Sequence, residues 1–340
     1  MKQQSNSIFI LGSILILLLF WQTTSVKAQE VEDEKEFDYA KGSEKGPERW
    51  GEIKEEWAAG KHGEMQSPID MVNRRVKIIR KSRELVSNYK PSNATVKNRG
   101  HDISVQWTVG EAGSIKINGT EYQLQQGHWH SPSEHSIRYA MELHLVHVSP
   151  QENGEDKIAV IGVLYRIGRP DSFLSQLPRN ISDMIDMKEE RHSGVIDPRE
   201  IKMGGKRYYR YMGSLTVPPC TEGVVWTINK KVMTVSREQM KLLRQAAHDY
   251  AEENARPLQP LHDREIYLYK RPYENVAAID LGDMPNHKSW AQFWEYWLTF
   301  MSGEILGEPR TFHDDMTSPK SPLWKEAIKS EIDSILQNHT

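Results

Sequence analysis

Residues 127–135 read Gly127-His128-Trp129-His130-Ser131-Pro132-Ser133-Glu134-His135 and place three of the chain's 13 histidines within eight residues. In a β-strand alternate side chains point to the same face, so Gln126, His128 and His130 are expected to share one face. Two imidazoles on one face can reach a single ion, and burying them side by side without a metal or an acidic partner would be costly. The stretch therefore predicts a strand that carries two metal ligands.

A second predicted strand, Met141-Glu-Leu-His-Leu-Val-His147, offers a third ligand. Alternation puts Glu142, His144 and Val146 on one of its faces. Three neutral imidazoles with an open fourth position are typical of catalytic zinc, whereas structural zinc sites are closed and often use Cys. Gln126 and Glu142 lie two residues from these ligands, where each can accept a hydrogen bond from the other ring nitrogen. The pattern indicates a Zn²⁺ site formed by His128, His130 and His144.

Two other histidines, His135 and His147, are predicted to be hydrogen-bonded core residues, which is the usual role of a single histidine on a strand. An alternative for the first stretch is the metal site of cupins, which are β-barrels, with Glu134 as a fourth ligand. Cupins place glycines at the positions that Tyr122 and Met141 hold here. The cupin interpretation is therefore disfavoured.

Short β-rich segments, broken by Gly, Pro, Asn and Asp, fill residues 37–271. Only residues 236–247 have clear helical spacing, with Ser236 as the expected N-cap. The pattern predicts one β-dominated domain with a few helices. The predicted strands are Asp102–Trp107, Ser114–Ile117, Ile158–Tyr165, Val224–Ile228 and Glu265–Tyr269.

The composition gives no indication of a nucleic-acid partner. The 340 residues are 38% hydrophobic and 27% charged with a net charge of −3, which suits one or two globular domains without a basic excess. A small-molecule partner is expected.

The N-terminus predicts entry into the secretory pathway. Lys2 precedes an apolar run over residues 8–20, and Val26-Lys27-Ala28 supplies small residues at a cleavage position, so residues 1–28 are interpreted as a signal peptide. The run is shorter than the roughly 20 residues that a membrane span needs, so no stable span is expected after cleavage. Residues 29–36 form a charged arm. Four glycosylation sequons agree with secretion to the extracellular space: Asn93, Asn118, Asn180 and Asn338.

Four motifs, in order along the chain, resemble those of α-type carbonic anhydrases, most closely the plant secreted, nectarin-like branch: Gln66-Ser-Pro-Ile-Asp70, His128-Trp-His-Ser-Pro-Ser-Glu-His135, Glu142-Leu-His-Leu-Val-His147 and Gly213-Ser-Leu-Thr-Val-Pro-Pro219. The resemblance covers residues 37–271. It implies a β-dominated α+β fold, a single domain on a large twisted, mostly antiparallel central sheet with a few peripheral helices. It also implies reversible hydration of CO2 to bicarbonate and a proton by zinc-bound hydroxide.

The resemblance implies a role for each matching residue. His128, His130 and His144 would bind Zn²⁺, supported by Gln126, Glu142 and the backbone carbonyl of Asn254. Thr216 would accept a hydrogen bond from the hydroxide and donate the hydrogen bond of its own hydroxyl to Glu134. Val146, Val160, Leu215, Val217 and Trp226 would form the CO2 pocket.

His101 would act as the proton shuttle, with Tyr39 and Arg99 along its path. Arg99 stands where relatives often have Asn, and its charge is expected to lower the pKa of His101 by repulsion. The family also contains members that have lost ligands, so a catalytically weak storage or binding protein of the same fold is the alternative function. A monomer or weak oligomer is expected, and delivery to the chloroplast by the secretory route is compatible with the family.

Two features depart from the resemblance. Secreted plant members usually pair the cysteine that Cys220 matches with a cysteine near the start, and here that position holds Gly60. Residues 272–340 form an extension outside the family domain, predicted to be helical. Its last 20 residues resemble a fragment of a copia-type retrotransposon polyprotein.

Overall fold

The structure is a computed structural model, and it describes residues 30, 36–71, 76–79, 85–135, 139–185, 189–203, 207–247 and 253–269. All of them belong to one compact unit, which ends at Pro272. The predicted signal peptide, most of the charged arm and the C-terminal extension, with its expected helix and retrotransposon-like end, lie outside the described residues.

The described residues contain one sheet of thirteen strands. In chain order they are β1 Val76–Ile79, β2 Val86–Ser87, β3 Ser92–Asn98, β4 Ile103–Trp107, β5 Ser114–Ile117, β6 Thr120–His130, β7 Met141–Ser149, β8 Lys157–Ile167, β9 Glu190–Ile196, β10 Tyr208–Ser214, β11 Glu222–Asn229, β12 Met233–Val235 and β13 Ile266–Tyr269. The main path across the sheet is β1-β13-β10-β11-β8-β7-β6-β4-β3-β9. The pairs β1–β13, β8–β11 and β8–β12 are parallel and the other pairs are antiparallel, so the sheet is mixed but mainly antiparallel, as expected.

The helices are short and lie outside the sheet. They are α1 Trp50–Ile53, α2 Ala59–His62, α3 Pro178–Ser182 and α4 Arg237–Ala246, with 3₁₀ turns at Glu55–Trp57, Leu174–Gln176 and Pro198–Ile201. In α4 the Ser236 side chain accepts from the Gln239 N–H while the Gln239 side chain accepts from the Ser236 N–H, each at 3.2 Å. This capping box confirms the predicted start of the helix. No helix in the described ranges has the length and apolar character that crossing a membrane would require.

The two long central strands β7 and β8 are buried on both faces, and the two faces serve different purposes. Every residue of β7 is buried. Its odd-numbered side chains, such as Leu143 and Leu145, pack into the larger hydrophobic cluster together with Val163 of β8. The even-numbered Val146 of β7 and Val160 of β8 pack into a second cluster on the opposite face, the face that carries His144.

A two-residue turn sets the position of β6. Asn118 and Gly119 join β5 to β6 with φ angles of 51° and 90°, and Ile117 pairs with Thr120 across the turn. Asn-Gly with positive φ at both positions is the favoured type I′ hairpin connection. Because a shift of one residue would move every side chain of β6 to the other face, this turn helps to fix which face carries His128 and His130.

Candidate metal centre

His128, His130 and His144 converge at the centre of the sheet. In the β6–β7 ladder His128 lies directly opposite His144, and His130 lies two residues along the same face. One ring nitrogen from each lies within 4.8 Å of the others, and the Nε2 atoms of His128 and His130 are 3.1 Å apart. All three side chains are buried. The structure thus brings together the three histidines that the sequence singled out.

The ring nitrogen on the far side of each imidazole has a hydrogen-bonding partner. Nδ1 of His128 lies 2.9 Å from Oε1 of Gln126, and Nε2 of His144 lies 3.1 Å from Oε1 of Glu142. Nδ1 of His130 lies 2.6 Å from the carbonyl oxygen of Asn254. Such partners fix the ring orientation and the tautomer, so that the remaining nitrogens point to a common centre.

Burial keeps two of the three rings in the neutral form that can bind a metal. Burial holds the pKa of His128 and of His130 well below the usual value, so both rings are neutral and each carries a free lone pair. Burial also disfavours the charged form of His144, but Glu142 and Glu134 more than offset it and raise the pKa of this ring. Three ligands at zinc–nitrogen distances of about 2.0–2.1 Å in tetrahedral geometry lie roughly 3.3 Å apart. The 3.1 Å separation of the two Nε2 atoms fits that arrangement.

Glu134 lies beside the cluster and is not part of the group of ligand atoms. Its Oε1 accepts a hydrogen bond of 2.9 Å from the backbone N–H of Arg256. Burial raises the pKa of Glu134 to about 8, while His144, a side-chain hydrogen bond with Thr216 and the Arg256 N–H act in the opposite direction. Oε2 of Glu134 has no partner of good hydrogen-bond geometry among the described residues. Glu134 and Thr216 nevertheless face each other, as the resemblance implies.

A cavity of about 300 Å³ opens beside the histidines. Val146 and Leu215 line it, and both belong to the same apolar cluster as Val160 and Trp226. The ring of Trp226 lies 4.8 Å from that of His144. Val217 lies elsewhere, in a small cluster with Phe37, Trp50 and Trp57. Four of the five expected pocket residues are therefore together.

The expected proton path is enclosed by protein. His101 is 2% exposed, its ring lies 5.0 Å from that of Phe37, and its Nε2 lies 3.8 Å from Oδ2 of Asp102. Tyr39 is buried, and burial raises its pKa well above the usual value. Arg99 donates from Nε and Nη2 to Asp102 at 2.7 and 2.5 Å, and from Nη1 to Glu30 at 2.7 Å. Because two carboxylates offset the charge of Arg99, the repulsion expected at His101 is reduced.

The structure adds functional contacts that the sequence did not reveal. The guanidinium of Arg256 donates to Oε1 of Gln66 and to the carbonyl of Ser67, each at 2.8 Å, so one residue links the Glu134 carboxylate to the N-terminal segment. His135 is hydrogen-bonded to Glu142 at 2.7 Å and to the hydroxyl of Tyr211 at 2.6 Å. Tyr211 lies 76 residues from His135 and Gln66 lies 190 residues from Arg256, so no local pattern marks these contacts.

The predicted roles of His135 and His147 as hydrogen-bonded core residues are confirmed. Both are buried, and Nε2 of His147 lies 2.7 Å from the hydroxyl of Tyr89 while its Nδ1 lies 3.2 Å from the carbonyl oxygen of Ala159. His135 is part of a second group of possible ligand atoms with Glu142 and His144. Its hydrogen bonds to Glu142 and Tyr211 account for that grouping without a metal.

Gly60, which stands where secreted plant relatives usually have a cysteine, lies against Cys220. A Cβ atom built on Gly60 would be 3.1 Å from Sγ of Cys220. Normal disulfide geometry, with an S–S bond of about 2.05 Å, places Cβ about 3.0 Å from the sulfur across the bond. Cys220 is a free buried thiol, and Gly60 occupies the place of its usual partner.

The chain is similar in sequence to known carbonic anhydrases. Residues 45–270 match the eukaryotic-type carbonic anhydrase family. Carbonic anhydrase Nec1 of Nesocodon mauritianus is 54% identical over 269 residues, which are 78% of this chain and 96% of that protein. Alpha carbonic anhydrase 7 of Arabidopsis thaliana is 55% identical over 245 residues, which are 71% of this chain and 87% of that protein.

A solved structure agrees with the family indicated by these sequence matches. The crystal structure of dioscorin complexed with ascorbate superposes with a TM-score of 0.66 at 43% identity, covering 69% of this chain and 98% of that one. A family match over most of the chain, close plant relatives and the shared fold converge on one assignment. The chain belongs to the eukaryotic-type carbonic anhydrase family.

Proposed function

We propose that the chain is a zinc-dependent carbonic anhydrase that reversibly hydrates CO2 to bicarbonate and a proton. The observation that carries the proposal is the histidine cluster: three buried imidazoles offer ligand nitrogens within 4.8 Å, and each ring is held from behind by Gln126, Glu142 or the Asn254 carbonyl. When bound there, zinc supplies hydroxide at neutral pH by lowering the pKa of water to about 7, a value for which carbonic anhydrase is itself the standard example.

The proposed part of Thr216 and Glu134 is to orient the nucleophile. A Thr216 hydroxyl that donates its hydrogen bond to the Glu134 carboxylate has its oxygen lone pairs left to accept a hydrogen bond, which fixes the direction of a hydroxyl group beside it. The Arg256 N–H and Thr216 both favour the charged form of Glu134. A cation among the histidines would favour that form further, because an opposite charge lowers the pKa of a carboxyl group.

The proposed CO2 pocket is the apolar wall beside the cluster. Val146, Val160, Leu215 and Trp226 pack together and are at most 5% exposed. Such a wall suits a small apolar substrate and keeps water from one side of the site. We assign His101 to proton transfer, because an imidazole can take up and release a proton near neutral pH.

The Thr216–Glu134 pair gives a direct test of this mechanism. Replacing Thr216 with Val keeps the shape and removes the hydroxyl, so CO2 hydration should fall by roughly 100-fold, whereas Thr216→Ser should retain most of the activity. Stopped-flow hydration rates and zinc content are measured together, and zinc content should stay unchanged. A Val variant as fast as the parent would rule out this role.

A second candidate, a weakly catalytic storage or binding protein of the same fold, is favoured by one observation. The carboxylate of Glu30 lies in the cavity and is hydrogen-bonded to Arg99 and Gln126. A protein of this kind would keep the fold and hydrate CO2 slowly or not at all. The rate of hydration by the zinc-loaded parent therefore separates the two candidates.

We further propose that the chain enters the secretory pathway and loses residues 1–28. Two of the predicted glycosylation sites, Asn93 and Asn118, are exposed in the structure, which glycan attachment requires. N-terminal analysis of the protein recovered from the medium of expressing plant cells should find Gln29 first. A protein retained in the cytosol with residues 1–28 intact would contradict this proposal.

A further inference from the structure

The carboxylate of Glu30 is held inside the cavity beside the histidine cluster. Its Oε2 accepts hydrogen bonds from Nη1 of Arg99 at 2.7 Å and from Nε2 of Gln126 at 2.9 Å, and it lies 3.9 Å from Nδ1 of His128. The side chain of Glu30 is 9% exposed and that of Arg99 is 1% exposed. A carboxylate is therefore bound by two donors in a place that is sheltered from water.

The direction of the Gln126 amide follows from the histidine cluster. A His128 ring that presents Nε2 to the centre of the cluster carries its proton on Nδ1, and this N–H donates to Oε1 of Gln126. With Oε1 fixed toward His128, the NH₂ group of Gln126 must face the cavity, where it needs an acceptor. The Glu30 carboxylate supplies that acceptor in this structure.

The orientation of the Arg99 guanidinium is also set by a contact that does not involve Glu30. Asp102 binds Nε and Nη2 of the guanidinium and holds its plane. Nη1 is left to face the cavity, and a guanidinium has five N–H donors, so the pairing with Asp102 does not exhaust them. A planar guanidinium and a carboxylate match in geometry. Both cavity donors are thus positioned before any anion binds.

We propose that Arg99 and Gln126 form a carboxylate-binding subsite in the cavity, that Glu30 fills it from within the chain, and that a small free carboxylate binds there when Glu30 is absent. Val146 and Leu215 line the same cavity. These apolar side chains suit a short alkyl group attached to the carboxylate. The subsite is distinct from the zinc site, and it exists whether or not the chain hydrates CO2.

The test is the affinity for acetate of the full-length protein after zinc has been removed with a chelator that carries no carboxylate. Calorimetric titration of the parent and of Glu30→Gln compares a subsite that holds its internal carboxylate with one that has lost the carboxylate charge, without metal binding. The tethered Glu30 competes at an effective concentration in the millimolar range or above, so the Kd for acetate should fall by about tenfold or more in Glu30→Gln. Equal affinities would overturn the proposal.

Matched controls assign the effect to these residues. Glu36→Gln removes a carboxylate that pairs with Lys54 at 2.7 Å, and it should bind acetate like the parent. Chloride carries the same charge without the carboxylate shape, so a gain for chloride equal to that for acetate would contradict a carboxylate site. The double variant Glu30→Gln/Arg99→Lys keeps a positive charge opposite Asp102 but removes the planar guanidinium. Most of the affinity for acetate gained in Glu30→Gln should therefore disappear.

An unchanged gain in the Arg99→Lys double variant would place the acetate elsewhere and would also overturn the proposal. Circular dichroism checks that each variant is folded. If the double variant does not fold, the comparison of the parent with Glu30→Gln decides the question alone. Because no zinc is present, the outcome is independent of CO2 hydration.

Discussion

Glu142 hydrogen-bonds both to the proposed ligand His144 and to the core residue His135. Its Oε1 accepts from the rings of His135 and His144, and its Oε2 accepts from the backbone N–H groups of Glu134 and His135 at 2.9 Å each. Burial by itself would raise the pKa of Glu142, but His135 and His144 hold it well below its usual range. The carboxylate is therefore ionised, and four donors converge on it.

Replacing Glu142 with Gln should weaken zinc binding by about 10- to 100-fold, because the amide NH₂ turns a donor toward groups that are themselves donors. Competition with a chromogenic chelator measures the zinc affinity of the folded variant. Glu155→Gln, in an exposed turn, is the matched control and should bind zinc like the parent. A Glu142→Gln variant with parental zinc affinity would show that this hydrogen bond does not support the site.

Single residues were predictable from the sequence where their neighbours in space are also close in sequence. The spacing of Gln126, His128 and His130 along one strand indicated their common face. The contact of His135 with Tyr211 could not be inferred in this way, because 76 residues separate them. The contacts of Arg256 with Glu134 and Gln66 could not be inferred either, because more than 120 residues separate Arg256 from each of them.

Strands β6 and β7 carry the three histidines, and the alternation of their side chains between the two faces of the sheet was predicted correctly. Gln126 pairs with Val146, His128 with His144 and His130 with Glu142. The five further strands that the sequence predicts also lie within or overlap strands of the structure. The parallel pairings of β8 with β11 and β12 were not predicted, because they join segments more than 60 residues apart that carry no pairing signal of their own.

Strand β7 also gives the fold a dependence on pH. Burial lowers the pKa of His147 to about 4, despite its hydrogen bonds with backbone carbonyls, whereas an unfolded chain would titrate near 6.5. Between these values the unfolded state binds more protons, so the free energy of unfolding falls as the pH drops from about 6.5 to 4. The contribution of His147 to this loss is about 3 kcal/mol.

His147→Gln should remove that contribution, because the amide does not titrate, and the amide can still hydrogen-bond to Tyr89 or to Ala159. Denaturant unfolding of zinc-free protein between pH 7 and pH 4 compares the variant with the parent, so that release of metal does not contribute. The exposed His192→Gln is the control and should follow the parent. If His147→Gln loses as much stability on acidification as the parent, His147 is not the source of the pH dependence.

At the scale of the whole molecule, the segment before the sheet is tied to the loop that carries Thr216. Arg256 donates to the carbonyl of Gly60 at 3.2 Å, and Nε2 of Gln66 donates to the carbonyl of Cys220 at 3.1 Å. The sequence placed Gly60 at the position of a missing cysteine only through the resemblance to relatives. Glu30 in the cavity was not predicted, because a charged arm gives no indication of where one carboxylate will bind.

Gly60→Cys should form a disulfide with Cys220 and stabilise the protein. The bond would close a loop of about 160 residues and raise the free energy of unfolding by roughly 2–5 kcal/mol, or the Tm by about 5–15 °C. Thermal unfolding with and without reductant measures the effect. Gly60→Ser has a similar side chain that cannot form the bond, and it should show no sensitivity to reductant. Equal Tm values for the Cys variant in both conditions would refute the pairing.

Three histidines are proposed to bind one zinc ion that is required to hydrate CO2. The most direct measurement is the CO2 hydration rate of the full-length protein as zinc is titrated into the chelator-treated form. We expect no activity without zinc, a linear rise and saturation at one zinc per chain, with His144→Ala remaining inactive at the same zinc concentrations. Activity that persists without zinc, or a chain that binds one zinc and does not hydrate CO2, would contradict this proposal.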